Sequence, residues 1–285
     1  MNKNIEILND FEKFLKLNLP KIKSFHPHFN EALSEMLDAG GKRFRPLLLL
    51  SVVASSSPLL LKNAMHVALG VEMLHTYSLI HDDLPCMDDA DLRRGHPTLH
   101  VSYDEVTAVL VGDALNTHSF YMIANSPLSP DVKVKLISIL ARDGGIEGMI
   151  IGQAIDCYFE DKTLALDELK FLHNHKTAKL IAASLLMGAV IGGLGEKEQK
   201  SLYEFGLKLG LLFQVQDDII DSTLSQGEAG KTTGNDSHKN SFVNLLGIEG
   251  AKNEKEILIS QLEVELKKLD ENLAKTLQQI IKDYF

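Results

Sequence analysis

Apolar residues in this chain recur every three or four positions over long stretches, as at Leu262, Leu266, Leu269, Leu273 and Leu277. That spacing stacks side chains on one face of an α-helix. It predicts helices near 3–18, 30–39, 46–54, 62–83, 104–124, 131–160, 176–193, 197–224 and 254–283. No convincing alternation of the strand type occurs. Short breaks fall at Ser56-Ser57-Pro58, Asn125-Ser126-Pro127 and Gly192-Gly193, none long enough to link domains. No proline lies beyond Pro130, and the rest of the chain is rich in Leu, Ile, Ala, Lys and Glu, a composition suited to long helices. There is no repeat of solenoid length and no low-complexity tract. The expected fold is all-α, with residues 1–285 forming a single domain.

Composition narrows the function. Of 285 residues, 45% are hydrophobic and 24% charged, which excludes a disordered chain. With 39 acidic and 29 basic residues the formal charge is −10, against the net basic face that nucleic-acid binding needs. A small anionic ligand stays open if bases cluster or acids hold metal. The longest apolar stretch, Leu180 to Gly195, contains Ser184 and is shorter than the roughly 20 residues of a membrane span. A buried core helix, and no transmembrane segment, is expected. Glu6, Asp10 and Glu12 stand where a secretory leader would need an apolar core. Cys86 and Cys157 form neither a disulfide framework nor a metal-ligand spacing. The expected location is cytoplasmic.

Two acidic clusters follow strongly apolar helical stretches. The first is Asp82-Asp83-Leu84-Pro85-Cys86-Met87-Asp88-Asp89-Ala90-Asp91, and the second is Asp217-Asp218-Ile219-Ile220-Asp221. Like charges about 4 Å apart repel by roughly 4 kcal/mol at an effective dielectric of 20. Such crowding is costly unless a cation joins it, and oxygen-only donors favour Mg²⁺ or Ca²⁺ over zinc. Asp217 and Asp221 share one helix face, with Gln214 near it. Asp82 and Asp88 would lie about 120° apart on a regular helix. Pro85 would have to bend that helix to bring both to one ion.

Basic groups accompany the acids. Gly40-Gly41-Lys42-Arg43-Phe44-Arg45-Pro46 opens a helix, with Pro46 suited to its first turn. The amides and cations there suit an anion. Arg93-Arg94 follows the first acidic cluster, Lys176-Thr177 starts a helix, and Lys231 lies in a polar loop after the second cluster. Together with the acids they fit metal-bridged diphosphate recognition. Glu72 and His75 have the Glu-x-x-His spacing of di-iron bundles, but no second copy exists and that class is rejected. Cys86 is a spacer between carboxylates.

These motifs stand in an order that resembles the short-chain trans-isoprenyl diphosphate synthases. They are GGKRFRP at 40–46, EMLHTYSLIHDDLPCMDDADLRRGHPT at 72–98, GMIIGQAID at 148–156, KTAKL at 176–180, FQVQDDIID at 213–221 and GKTTGND at 230–236. The resemblance implies an isoprenoid synthase-type helical bundle around a deep central cavity, usually a homodimer. It implies Mg²⁺, three ions per site, with Mn²⁺ an acceptable substitute. Asp82, Asp88 and Asp217 match direct metal ligands, supported by Asp83, Asp218 and Asp221. Arg93, Lys176 and Lys231, with Gln214 nearby, match the allylic diphosphate site. Lys42, Arg45, His75 and Arg94 match the isopentenyl diphosphate site. Thr177 and Gln214 match groups whose oxygens face the developing carbocation. One departure stands out: Lys239 follows Asp236 after an unusually short spacer, and no role is assigned to it.

The implied reaction condenses isopentenyl diphosphate with dimethylallyl and then geranyl diphosphate. Product length is expected to depend on Tyr77 and Ser78, before Asp82. An aromatic residue there, with the longer first motif, implies a C15 product, farnesyl diphosphate; C20 is the alternative. A class I terpene cyclase would carry an Asn/Ser/Glu triad in place of Asp217-Asp218-Ile219-Ile220-Asp221. A non-catalytic helical partner subunit tends to lose the aspartates that this chain keeps.

Overall fold

The computed structural model describes residues 3–223 and 239–285. The helices are α1 (Lys3–Leu17), α2 (Phe29–Asp38), α3 (Phe44–Ser56), α4 (Leu61–Asp82), α5 (Leu99–Ser102), α6 (Glu105–Ala124), α7 (Pro130–Asp143), α8 (Met149–Tyr158), α9 (Leu166–His173), α10 (Lys179–Ile191), α11 (Glu196–Thr223), α12 (Phe242–Leu266) and α13 (Glu271–Tyr284). Two helices carry apolar residues almost all round and are therefore buried almost all round. In α4, side chains from Ala64 to Tyr77 are inside on most faces; in α10, nearly every residue from Leu180 to Ile191 is. The stretch read as a core helix is one. α4 packs on α6 and α3, α10 on α3 and α11, and α11 on α12. One cluster of buried side chains runs from Ile7 to Ile281. Among the described residues no helix is long and apolar enough to cross a membrane.

The structure corrects several boundaries. The expected helix 131–160 is two, α7 and α8, broken over Gly144–Gly148. A Cβ on Gly148 would meet the Asp143 carbonyl at 1.9 Å, so only glycine permits that turn. The expected 254–283 helix is also two. α12 begins earlier, at Phe242, with Ser241 Oγ accepting from Asn244 N–H, and Asp270 caps α13 by accepting from Asn272 and Leu273. The expected 176–193 helix is preceded by the unforeseen α9 and joined to it by a π-helical turn, Asn174–Ala178. A two-strand hairpin, β1 (Leu92–Arg93) with β2 (His96–Pro97), went unread because each strand has two residues.

Candidate active site

α4, the π turn before α10, and the last turns of α11 point their ends to one end of the bundle. α4 stops at Asp82, and Pro85 forbids its continuation. The chain turns back: Asp88 N–H donates to the Asp82 carbonyl (2.8 Å) and Ala90 N–H to that of Asp83 (3.1 Å), with Asp89 in the left-handed region. This fold-back, not a bent helix, brings Asp82 and Asp88 together on one rim. Asp217, Asp218 and Asp221 face them from α11, and Lys176, Lys239, Arg93 and Asp156 line the same cleft.

Among the described residues, each cation of this cleft is engaged. Lys176 donates to Asp156 (2.5 Å), Lys239 to Asp88 (2.7 Å), and Arg93 donates through Nε (2.9 Å) and Nη2 (2.5 Å) to Asp83. Gln214 is oriented from both sides: its Oε1 accepts from Thr177 (3.0 Å) and its Nε2 donates to Asp218 (2.9 Å). Asp218 also accepts from Phe242 N–H (2.7 Å), which ties α11 to α12. Burial, with Asp88 adding, pushes the Asp82 carboxyl up to about 6. Burial, with Asp217 and Asp221 adding, pushes Asp218 up to about 7. Burial alone would raise Asp156, but adjacent Lys176 outweighs it and holds that carboxyl below its ordinary value. The acids are short of positive charge, and their hard oxygens suit a divalent ion such as Mg²⁺. Among the described residues no three carboxylates already converge on one point. The two aspartate motifs face each other across the cleft, so an ion there needs oxygens from a ligand as well.

A second cleft shares Leu79, Arg93, Gln214, Asp217 and Asp221 with the first. Lys42, Arg45, His75 and Arg94 line it. The loop before α3 reaches it through left-handed residues, Gly40 (φ 85), Gly41 (φ 125) and Arg43 (φ 46). The helix starts at Phe44, two residues before Pro46, where a missing N–H in the first turn costs nothing. Arg45 is buried with its Nε unpartnered, and burial lowers its guanidinium to about 10. Lys42 is exposed and lies 3.6 Å from Asp217. Burial, then Arg45 and Arg94, holds His75 well below its ordinary value, so its imidazole is neutral.

Not every expected site residue lines these clefts. Asp83 is turned inward onto Arg93 and lines neither. Lys231 lies outside the described residues. Ser78 Oγ donates to the His75 carbonyl (2.9 Å). Tyr77 is buried, edge-on to His81, with its phenol pushed up to about 12 by burial, Asp82 and Asp113 adding. At about 100° per residue it lies about 140° round α4 from Asp82, whereas Ser78 lies about 40° away. Tyr77 therefore lies toward the far side of α4 from Asp82 and not beneath it, whereas Ser78 shares Asp82's face. Lys239 and Asp156 were missed. Asp156 ends the GMIIGQAID motif and could have been weighed; Lys239 reaches Asp88 only through tertiary structure. Glu72, considered only as a metal ligand, instead meets Arg43 (2.7 Å) and Arg94 (3.6 Å). Cys86 is exposed.

Residues 26–281 match the polyprenyl synthetase family, and the chain belongs to that family. A farnesyl diphosphate synthase of Geobacillus stearothermophilus is 45% identical over 229 residues, covering 78% of this chain and 76% of the relative. A chloroplastic geranylgeranyl pyrophosphate synthase of Capsicum annuum is 46% identical over 235 residues, covering 79% of this chain and 63% of its own. A geranyltransferase from Helicobacter pylori, solved with magnesium and isoprenyl diphosphate, superposes with a TM-score of 0.94. It is 51% identical, with 98% of this chain and 95% of that one covered.

Proposed function

We propose that the protein is a magnesium-dependent prenyltransferase that condenses isopentenyl diphosphate with dimethylallyl and then geranyl diphosphate, giving farnesyl diphosphate and diphosphate. The observation that carries this reading is the pair of clefts: one acid-lined, one arginine-lined, sharing a wall. Two diphosphates held there would bring their carbon ends together along that wall.

Asp82, Asp88 and Asp217 hold the ions of the first cleft, with Asp218 and Asp221 behind them. Three Mg²⁺ per site is the reading, and Mn²⁺ can replace them. Bound magnesium neutralises charge on the leaving diphosphate. Lys176 and Arg93 hold the allylic diphosphate, with Lys231 assigned the same task by resemblance. Asp83 positions Arg93 and is not itself a ligand. As the allylic C–O bond breaks, these cations meet the charge that develops on oxygen. Thr177 and Gln214, locked by their mutual hydrogen bond, turn oxygen lone pairs toward the allylic cation. Lys42, Arg45, His75 and Arg94 hold isopentenyl diphosphate so that its double bond attacks that cation. One proton then leaves the new carbon skeleton, and the released diphosphate is the nearest base. Tyr77 and Ser78 limit chain length.

A homodimer is part of this reading. The face of α6 that carries Val106, Val109, Leu110 and Tyr121 is exposed at helical spacing. A mostly apolar, uncovered face on one long helix, interrupted by the exposed Asp113 and Thr117, supports a second copy as its cover.

The purified protein should be incubated with Mg²⁺, isopentenyl diphosphate and each allylic starter, and product chain length measured. C15 is expected. A mainly C20 product would move the assignment to a geranylgeranyl diphosphate synthase, the kind of enzyme that the Capsicum annuum relative is named as. No condensation with any starter would overturn the enzyme reading in favour of a non-catalytic subunit.

A further inference from the structure

We propose that Glu72 is the positioning residue of the isopentenyl diphosphate site, acting through Arg43. The inference rests on the function proposed above and deepens it, since it concerns how that site is built. Arg43 stands between Lys42 and Arg45 in sequence and lines the same cleft, which would make it a candidate ligand. Its guanidinium is already committed on every nitrogen. Nε donates to Glu12 (2.7 Å), Nη1 to Glu72 (2.7 Å) and Nη2 to the Leu37 carbonyl (2.6 Å), and the residue is 3% exposed. Arg43 is therefore a strut that ties α1, α2 and α4 to the loop before α3.

That loop needs a strut. Gly40, Gly41 and Arg43 all have positive φ, a conformation that an arginine adopts only under outside constraint. Arg94 lies under the loop: a Cβ on Gly41 would come within 3.0 Å of the Arg94 guanidinium carbon. Arg94 is fixed at its other nitrogens by the Met36 carbonyl (3.1 Å) and by Glu72 (3.6 Å). One carboxylate, 1% exposed, thus restrains two guanidiniums and stands among the positive groups of the cleft. Without its charge, Arg43 would be buried and half-paired, a state that costs more than the bond itself. The loop would shift to relieve it; Lys42 rides on that loop, and Arg45 on the first turn of α3 that the loop leads into. The allylic site hangs from the π turn and α11, and its Arg93, though next to Arg94, is held separately by Asp83, so it should be spared.

The test is steady-state kinetics of Glu72→Gln, with both substrates varied separately. The isopentenyl diphosphate KM should rise tenfold or more, while the allylic KM and kcat at saturation stay within about threefold. Glu12→Gln, at a partly exposed position that endangers folding less, should give a smaller rise with the same bias. Glu72→Asp, which restores charge at shorter reach, should recover part of the loss. A KM for isopentenyl diphosphate that is unchanged or lower in folded Glu72→Gln, or equal rises for both substrates, would overturn the proposal. If Glu72→Gln does not fold, an unbiased or absent effect in Glu12→Gln overturns it. Lack of condensation by the unaltered protein would instead overturn the proposed function.

Discussion

The side chains at the paired clefts are set by burial and by a few specific charges, and single substitutions should separate their roles. Asp82→Ala and Asp217→Ala should each lower turnover by several orders of magnitude while leaving helicity unchanged by circular dichroism; near-normal rates would refute them as ion-holding groups. Activity should vanish with chelator and return with Mg²⁺. Arg45→Ala should weaken isopentenyl diphosphate about ten- to hundredfold, the loss of a charge-assisted hydrogen bond of roughly 1.5–3 kcal/mol, with little effect on the allylic KM. His75 makes a different prediction. Its imidazole is held well below its ordinary value by burial and by four arginines. Below about pH 6.5 the unfolded chain takes up a proton there that the folded chain refuses. Unfolded protein then binds more protons, so stability falls as pH falls, by at most about 1.4 kcal/mol per pH unit for this one group. Urea melts from pH 7 to pH 5 should show a shallower decline in His75→Gln than in the unaltered protein.

At the scale of the element, α4 does two jobs. Its outer end supplies Asp82, and its seam with α6 holds Tyr77. Replacing Tyr77 by Ser removes a buried ring without touching the cation-holding groups, so condensation should survive and the product should lengthen from C15 toward C20. A stability loss of up to about 3–5 kcal/mol is expected from emptying this mostly buried aromatic site, and thermal melting would measure it. A folded variant that still stops at C15 would make Tyr77 a packing residue and leave Ser78, on Asp82's own face, to limit the chain. The π turn before α10 is the other decisive element. A Cβ on Gly152 would fall 2.1 Å from the Lys176 backbone nitrogen, so α8 can approach that turn only because position 152 lacks a side chain. That approach lets Asp156 reach Lys176.

For the whole molecule, one continuous core runs from α1 to α13 among the described residues. All described site residues then sit at one end, on helices held in that core and on the loops and hairpin that leave them. The α6 face predicts assembly: in sedimentation velocity the unaltered protein should run as a dimer and Leu110→Glu as a monomer, since a charge would enter the contact. An unchanged dimer would place the interface elsewhere.

Read alone, the sequence establishes the helical class, the central burial of 180–191, both aspartate motifs and the basic groups. These features are local: periodicity comes from 3.6 residues per turn, and carboxylates crowded at the ends of apolar helices point to a cation. It places the end of α4 within a residue, but not the fold-back after it, because that turn depends on which carbonyls the returning chain can satisfy, here by Asp88 and Ala90. Nor does it reveal that Asp83 faces Arg93 and not the cleft, or that Lys239 meets Asp88 across 151 residues of chain. These pairings are settled in three dimensions because charge acts through space: which acid meets which base depends on where the helices bring them, and spacing along the chain carries no record of it.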